Sequence, residues 1–413
     1  MTGNRDIRRA VAEFCAREHG AQARLLAALV KVPSDNPPGD CAPHAEHAAA
    51  LLEDLGLSVE RYPVPDDLVQ ANGMVSATNL IVRERFGAGP TIALNAHGDV
   101  VPPGEGWSRD PYGAEIRDGW MHGRGVAVSK SDFATYAYAL LALKSLARRL
   151  AGTVELHLTY DEEAGGAIGP KWLLGRGLTK PDYAISAGFS YAIVTAHNGC
   201  LHLEAQITGR SAHAARPETG HDALEAATRV LNALYAHRKH LGDIHSAVDG
   251  IASPTLVVGL IKGGINTNVV PDAVTLRLDR RIIPEEDSAE VERVLTRLIR
   301  ESIAHLPGIG CAVRRIMLAE PLKPVPGLER LVEPLQRNAE AVLGEKVPTH
   351  GVPLYTDARH YAAAGIPTAL YGAGPRTLTE ANAHAADERL PLADLRKATE
   401  VVALTLLDLL SGR

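Results

Sequence analysis

The sequence predicts an α/β protein in which a mostly parallel sheet covered by helices is interrupted by a smaller α+β unit. Three observations predict it. Short apolar segments alternate with amphipathic helical stretches in the first half of the chain, the order that builds parallel sheets. Near residue 200 the pattern changes to alternating, half-exposed strands. The length of 413 residues exceeds one ordinary core, and at ~150 residues per domain it suggests two or three domains.

The elements follow in order. Residues 7–32 carry Ile7, Val11, Phe14, Leu25, Leu26 and Leu29 at helical spacing. The stretch SDNPPGD (34–40) breaks that helix with two prolines and a glycine. Helical spacing resumes over 43–56 and stops at Gly56. Residues 91–95 (TIALN) read as a strand, 133–150 as a long helix, 154–159 as a strand, 169–176 as a helix and 183–186 as a buried strand. Residues 201–208 (LHLEAQIT) then alternate as a half-exposed strand. A helix at 221–241, strands at 254–262 and 273–282 and a helix at 287–305 complete a two-layer unit of about 110 residues. A helix at 328–343, short apolar strands at 366–371 and a last helix at 391–411 close the chain. This order predicts a catalytic domain in two pieces, 1–200 and 313–413, with an insertion at 201–312.

Composition narrows the function. The chain is 46% hydrophobic and 22% charged, which excludes a disordered or fibrous protein. Lys and Arg number 43 against 49 Asp and Glu, so no basic excess exists for phosphate contacts. With 4% aromatics there is little to stack on bases, and a nucleic-acid role is not expected. No apolar run approaches the roughly 20 residues of a membrane helix. The opening MTGNRDIRRAVAEF is charged at once and lacks the apolar stretch of a leader. Cys15, Cys41, Cys200 and Cys311 form no CxxC pair, so neither a zinc knuckle nor a disulfide framework is expected, and a cytoplasmic location is.

Two clusters carry chemistry. His97-Gly98-Asp99 follows the apolar strand directly, so His97 and Asp99 share a face at a strand end. Histidine there can bind a metal while the carboxylate fixes its tautomer. Asp161-Glu162-Glu163 follows another strand and precedes Gly165-Gly166. Adjacent carboxylates need a cation, protons or water to coexist. Metal-assisted hydrolysis uses one carboxylate as ligand and another as base. Each cluster in isolation is also what a polar turn looks like.

Together they resemble a known family. His97-Gly98-Asp99-Val100-Val101-Pro102 with Trp107, Gly123-Arg124-Gly125 with Lys130, and Asp161-Glu162-Glu163 with Gly165-Gly166 are similar to the aminoacylase, acetylornithine deacetylase and succinyl-diaminopimelate desuccinylase family. The likeness continues through residues 34–39, Gly209-Arg210-Ser211-Ala212-His213, Asn268-Val269-Val270-Pro271, Asp357-Ala358-Arg359 and His384. The resemblance implies a zinc-peptidase-like catalytic domain, a ferredoxin-like inserted lid that also dimerises, and hydrolysis of amide bonds. It implies that His97 and Glu163 are metal ligands, with His384 joining Glu163, that Asp99 orients His97, and that Glu162 is the general base. It implies that His213 reaches the partner subunit's site and steadies the oxyanion, and that Asn268 and Arg359 hold a substrate carboxylate. Arg359 beside Asp357 also reads as a structural ion pair.

The chain departs from the family at two positions. The family reads Gly-Arg-Gly-x-x-Asp-x-Lys with the Asp bridging two metals, but Val128 stands there. Asp132 lies four residues on and has two readings, a re-routed metal ligand or a helix N-cap. The family also places an acidic ligand where Ala187 or Gly188 stands, and Asp182 sits ~16 Å away at the other end of that strand. His97, Glu163 and His384 remain as one His/His/Glu set, with His122 and His197 as spare imidazoles.

The expectation is therefore a metal-dependent hydrolase of an amide or peptide bond beside a carboxylate, of the N-acyl amino acid deacylase or dipeptidase type. It would carry one Zn2+, Mn2+ or Co2+ per chain, or two, act on a small-molecule substrate, and form a homodimer through the insertion. The alternatives are a family member without catalysis that binds a carboxylate ligand, and an amidine- or carbamoyl-cleaving relative.

Overall fold

The computed structural model describes residues 4–146 and 150–411. The chain divides into two units. The first holds the residues up to Thr195, Pro324–His350 and Thr356–Arg413, and the second holds Ala196–Lys323 and Gly351–Tyr355.

The central sheet runs in the order Val59–Pro63, Thr78–Arg85, Thr153–Thr159, Thr91–His97, Tyr183–Ser186, Thr368–Leu370, Ile193–His197, Thr349–Val352. The four strands from Thr153–Thr159 to Thr368–Leu370 are parallel. Ile92, Leu94, Val154, Leu156, Ala184 and Ile185 are fully buried, as expected of strands covered on both faces. Thr78–Arg85 and Val59–Pro63 extend the sheet in antiparallel fashion. One face is covered by Asn4–Val30, Lys130–Lys144, Glu329–Leu343 and Leu392–Leu410, which pack on one another. The other carries Pro170–Gly175 and Ala358–Ala363, where Tyr361 and Ile366 meet Ala93 and Ala184. The helix expected over 133–150 spans Lys130–Lys144, and residues 147–149 of that reading lie outside the described residues.

The second unit is a four-stranded antiparallel sheet in the order Thr255–Gly263, Ala273–Ile282, Gly199–Thr208, Gly310–Ala319. Helices Ala223–Leu241 and Ser288–Ile303 give the chain order βαββαβ, which is ferredoxin-like. Leu201, Leu203, Ala205 and Ile207 are buried with Val230, Leu234, Leu295 and Ile299. The alternate residues Cys200, His202 and Glu204 point to the opposite face. Asp222 and Asp287 cap the two helices by accepting from backbone N–H groups. The fourth strand was absent from the expected order, because Arg314 and Arg315 interrupt its apolar alternation. Position 312 falls inside it. Among the described residues no helix is long and apolar enough to cross a membrane.

Candidate metal centre

The site is built where two parallel strands stop level, with His97 paired to Thr159. The carboxyl ends of such strands open into the crevice where ligands bind in open α/β sheets. His97 is buried. Its N–H donates to Ser129 Oγ at 3.1 Å, and that hydroxyl donates back to the His97 carbonyl at 3.0 Å. His97 Nδ1 lies 2.9 Å from the Asp99 backbone oxygen and 3.4 Å from Asp99 Oδ1. A proton on Nδ1 satisfies both contacts and leaves Nε2 with its lone pair for a metal.

Asp99 is fully buried and does more than orient the imidazole. Its Oδ1 accepts from the Glu162 N–H at 3.3 Å, and its Oδ2 accepts from the Glu163 N–H at 3.1 Å and from Asn36 Nδ2 at 3.0 Å. It thereby fastens the acidic turn to His97.

That turn, Glu162–Ala164, is a single 3-10 turn closed by Gly165 at φ 106° and Gly166 at φ 66°. Both angles lie in the left-handed region that favours glycine. A Cβ on Gly166 would also sit 2.1 Å from Asp357 Oδ1. The turn splays the three carboxylates. Asp161 turns away and accepts from the Ile168 N–H at 2.6 Å. Glu162 and Glu163 come to His97, and the ligand atoms of these three residues all lie within 4.8 Å of one another. His384 Nε2 stands 3.2 Å from Glu163 Oε1.

The charges are crowded. Burial pushes the Glu162 carboxyl up to about 8, with the His97 charge opposing and the Glu163 and Asp99 charges adding to the rise. Burial works against an imidazolium at His97, yet Asp99, Glu162 and Glu163 outweigh it and hold that group well above its ordinary value. His384 is raised chiefly by the Glu163 carboxylate beside it. A divalent cation would relieve the same repulsion that protons relieve here. Glu163 Oε1 is buried with no hydrogen bond, only the His384 ion-pair contact. His97, Glu162 and Glu163 thus offer converging donors that fit a divalent cation, and His384 stands against Glu163. Val128, Ala187 and Gly188 bring no side-chain donor for a second.

The remaining expectations fare differently. Asp132 is not the helix cap, because the N-cap position is Ser129 and Asp132 is the third helical residue. Its buried carboxylate accepts from the Gly188 N–H at 3.2 Å and the Ala373 N–H at 2.8 Å, and burial pushes it up to about 8. Both oxygens are engaged, and Asp132 stands outside the converging donor group. Arg359 is buried and donates to the Thr356 carbonyl at 2.5 Å and to the Gly165 carbonyl. It grips the far end of the acidic turn. Asn268 and His213 belong to the second unit, where both are exposed on neighbouring loops. His213 bridges to Val269, and the Asn268 carbonyl accepts from the Ala214 N–H at 3.0 Å. The spare imidazole of His122 lies on the Trp120–His122 strand of a separate small sheet, and His197 belongs to the second unit.

Sequence reasoning missed Glu388, four residues beyond His384. It is fully buried and accepts from Arg124 Nη1 at 2.7 Å and from the N–H groups of Gly125, Ala127 and Val128 at 3.2, 2.9 and 3.1 Å. It moulds the loop that carries Val128.

The model of peptidase family M20/M25/M40 matches residues 93–408. The chain is 28% identical to a succinyl-diaminopimelate desuccinylase of Gluconacetobacter diazotrophicus, over 91% of this chain and 93% of that protein. It is likewise 28% identical to an acetylornithine deacetylase of Yersinia pseudotuberculosis, over 92% and 95%. Among solved structures, aminopeptidase PepT of Bacillus cereus superposes with a TM-score of 0.74 at 25% identity, covering 95% of this chain and 98% of that one. A Bacillus subtilis protein described as a dinuclear metal binding peptidase from the M20 family superposes at 0.68 with 17% identity, over 96% and 100%, which shows the shared fold. The chain therefore belongs to peptidase family M20/M25/M40, the metal-dependent hydrolases of amide and peptide C–N bonds.

Proposed function

We propose that the chain hydrolyses an amide or peptide bond next to a carboxylate, in a small substrate of the N-acyl amino acid or dipeptide kind. The observation that carries the reading is the meeting of His97, Glu162 and Glu163 within 4.8 Å at the end of parallel strands. The names of the desuccinylase and deacetylase relatives support the substrate class.

His97, Glu163 and His384 would hold one Zn2+, Mn2+ or Co2+. Such an ion supplies Lewis-acid polarisation of a carbonyl and lowers the pKa of water. Glu162 takes the proton of the attacking water and delivers it to the leaving amine. Asp99 keeps the imidazole and the two glutamates in register. Asn268 binds the substrate carboxylate, and His213 of a second subunit steadies the oxyanion. Asp132 braces the loops behind the crevice, and Arg359 holds the acidic turn. The homodimer forms through the second unit, whose edge strand Thr255–Gly263 exposes Val257, Leu260 and Ile261. The four thiols suit a reducing cytoplasm.

Glu162→Gln tests the reading on a panel of acyl amino acids and dipeptides. Turnover should fall by at least about 10²-fold with bound metal unchanged. Unaltered turnover would remove Glu162 from the mechanism. A second reading, a ligand-binding protein without catalysis, is favoured by Val128 and Ala187 and by the engagement of both Asp132 oxygens. No turnover, with no metal held at His97 and Glu163 after zinc or manganese loading, would support it.

A further inference from the structure

The second unit carries a cluster that the proposed hydrolysis does not use. Cys200 and His202 stand two residues apart on Gly199–Thr208, so they share the sheet face opposite the helices. Asp279 pairs directly with His202 on the neighbouring strand. Cys200 Sγ lies 3.3 Å from His202 Nε2 and 3.5 Å from Asp279 Oδ2, and Nε2 lies 2.8 Å from Oδ2. Cys200 is a buried thiol, not half of a disulfide. The side chains of His202 and Asp279 are 35% and 29% exposed, which leaves a way in for an ion.

The shape of the cluster separates two uses. A nucleophilic relay needs the imidazole to serve the thiol with one nitrogen and the carboxylate with the other. Here both contacts fall on Nε2, so the three donor atoms surround one point. Tetrahedral zinc, with bonds of ~2.3 Å to sulfur and ~2.0 Å to nitrogen and oxygen, holds such donors roughly 3.3–3.6 Å apart. The two sulfur distances are already of that size, and only the Nε2 to Oδ2 gap must open, by about half an ångström on the same zinc geometry. Arg281 Nε donates to Asp279 Oδ1 at 3.1 Å and so leaves Oδ2 aimed at the cluster.

We propose that Cys200, His202 and Asp279 form a mononuclear thiolate–imidazole–carboxylate site for a zinc-class divalent cation. The bonds formed are from the ion to Sγ, Nε2 and Oδ2. The thiol proton leaves to solvent while the neutral imidazole keeps its one proton on Nδ1, so binding releases one proton per ion. The proposal does not depend on the hydrolase reading.

Cobalt(II) tests it, because only a cysteine site gives a thiolate-to-cobalt charge-transfer band in the near ultraviolet. The full chain is reduced, stripped with chelator and titrated with cobalt(II) chloride. The wild type should develop the band, and His97→Ala with Glu163→Gln should keep it. Cys200→Ser should lose the band while any cobalt at the first unit's site remains. Asp279→Asn should weaken the band's cobalt affinity by about tenfold or more. Circular dichroism confirms that each variant is folded. A wild type that binds cobalt without the band, or a band that survives Cys200→Ser, would overturn the proposal and leave the triad as a hydrogen-bond network.

Discussion

Removing the Glu388 carboxylate should loosen the first unit more than any exposed substitution. Glu388 and Arg124 are both about 1% exposed and 2.7 Å apart. Breaking a buried pair by deleting one partner costs about 3–5 kcal/mol, because the other charge stays buried. The N–H groups of Gly125, Ala127 and Val128 lose their acceptor too, at about 1 kcal/mol or more each. Water entering the space left by the side chain would recover part of this. The worked expectation for Glu388→Ala is a loss of at least about 4 kcal/mol, a large share of a typical domain's 5–15 kcal/mol. Trp107, Trp120 and Trp172 all lie in the first unit, so tryptophan fluorescence during urea unfolding reads that unit alone. Glu388→Gln keeps the volume but loses the charge, and should fall between. A Glu388→Ala protein within about 1 kcal/mol of wild type would refute the claim that this carboxylate organises the loop.

Asp132 gives a pH prediction. Its folded pKa, about 8, lies above the 3.8 of an ordinary aspartate. The stability it contributes is thus complete below about pH 4 and is lost as pH rises through about 8. Asp132→Asn should gain stability relative to wild type between pH 5 and pH 8 in urea melts, and an unchanged difference would contradict the burial argument. Gly166→Ala should destabilise and cut turnover about tenfold or more, since the new methyl meets Asp357 Oδ1 at 2.1 Å; wild-type kinetics would show that the turn can yield. Ile261→Lys with Val257→Lys on the exposed edge strand should give a monomer by light scattering if that edge pairs two copies, whereas a dimer would place the interface elsewhere.

Much of the fold was legible because burial on both faces leaves an apolar run, as in TIALN, and because alternation marks a strand, as in VELHLTY. The antiparallel additions were not. Val59–Pro63 is only half-buried, and Glu115–Arg117, Trp120–His122 and Arg389–Pro391 are three residues each, too short for any period to show. His97 and the acidic turn were readable because strand ends advertise themselves. Glu388 was not, since an acid in a loop reads as surface until its partners are known. The N-cap reading of Asp132 fails, and its backbone partners, Gly188 and Ala373, lie 56 and 241 residues away. No local pattern carries that information.

The level ending of Thr91–His97 and Thr153–Thr159 constrains the length of both strands. Gaining or losing one residue inside either strand would rotate every later side chain through the sheet and send the imidazole into oily packing. The site therefore depends on strand length as strictly as on the functional groups themselves, while the connecting loops can take insertions.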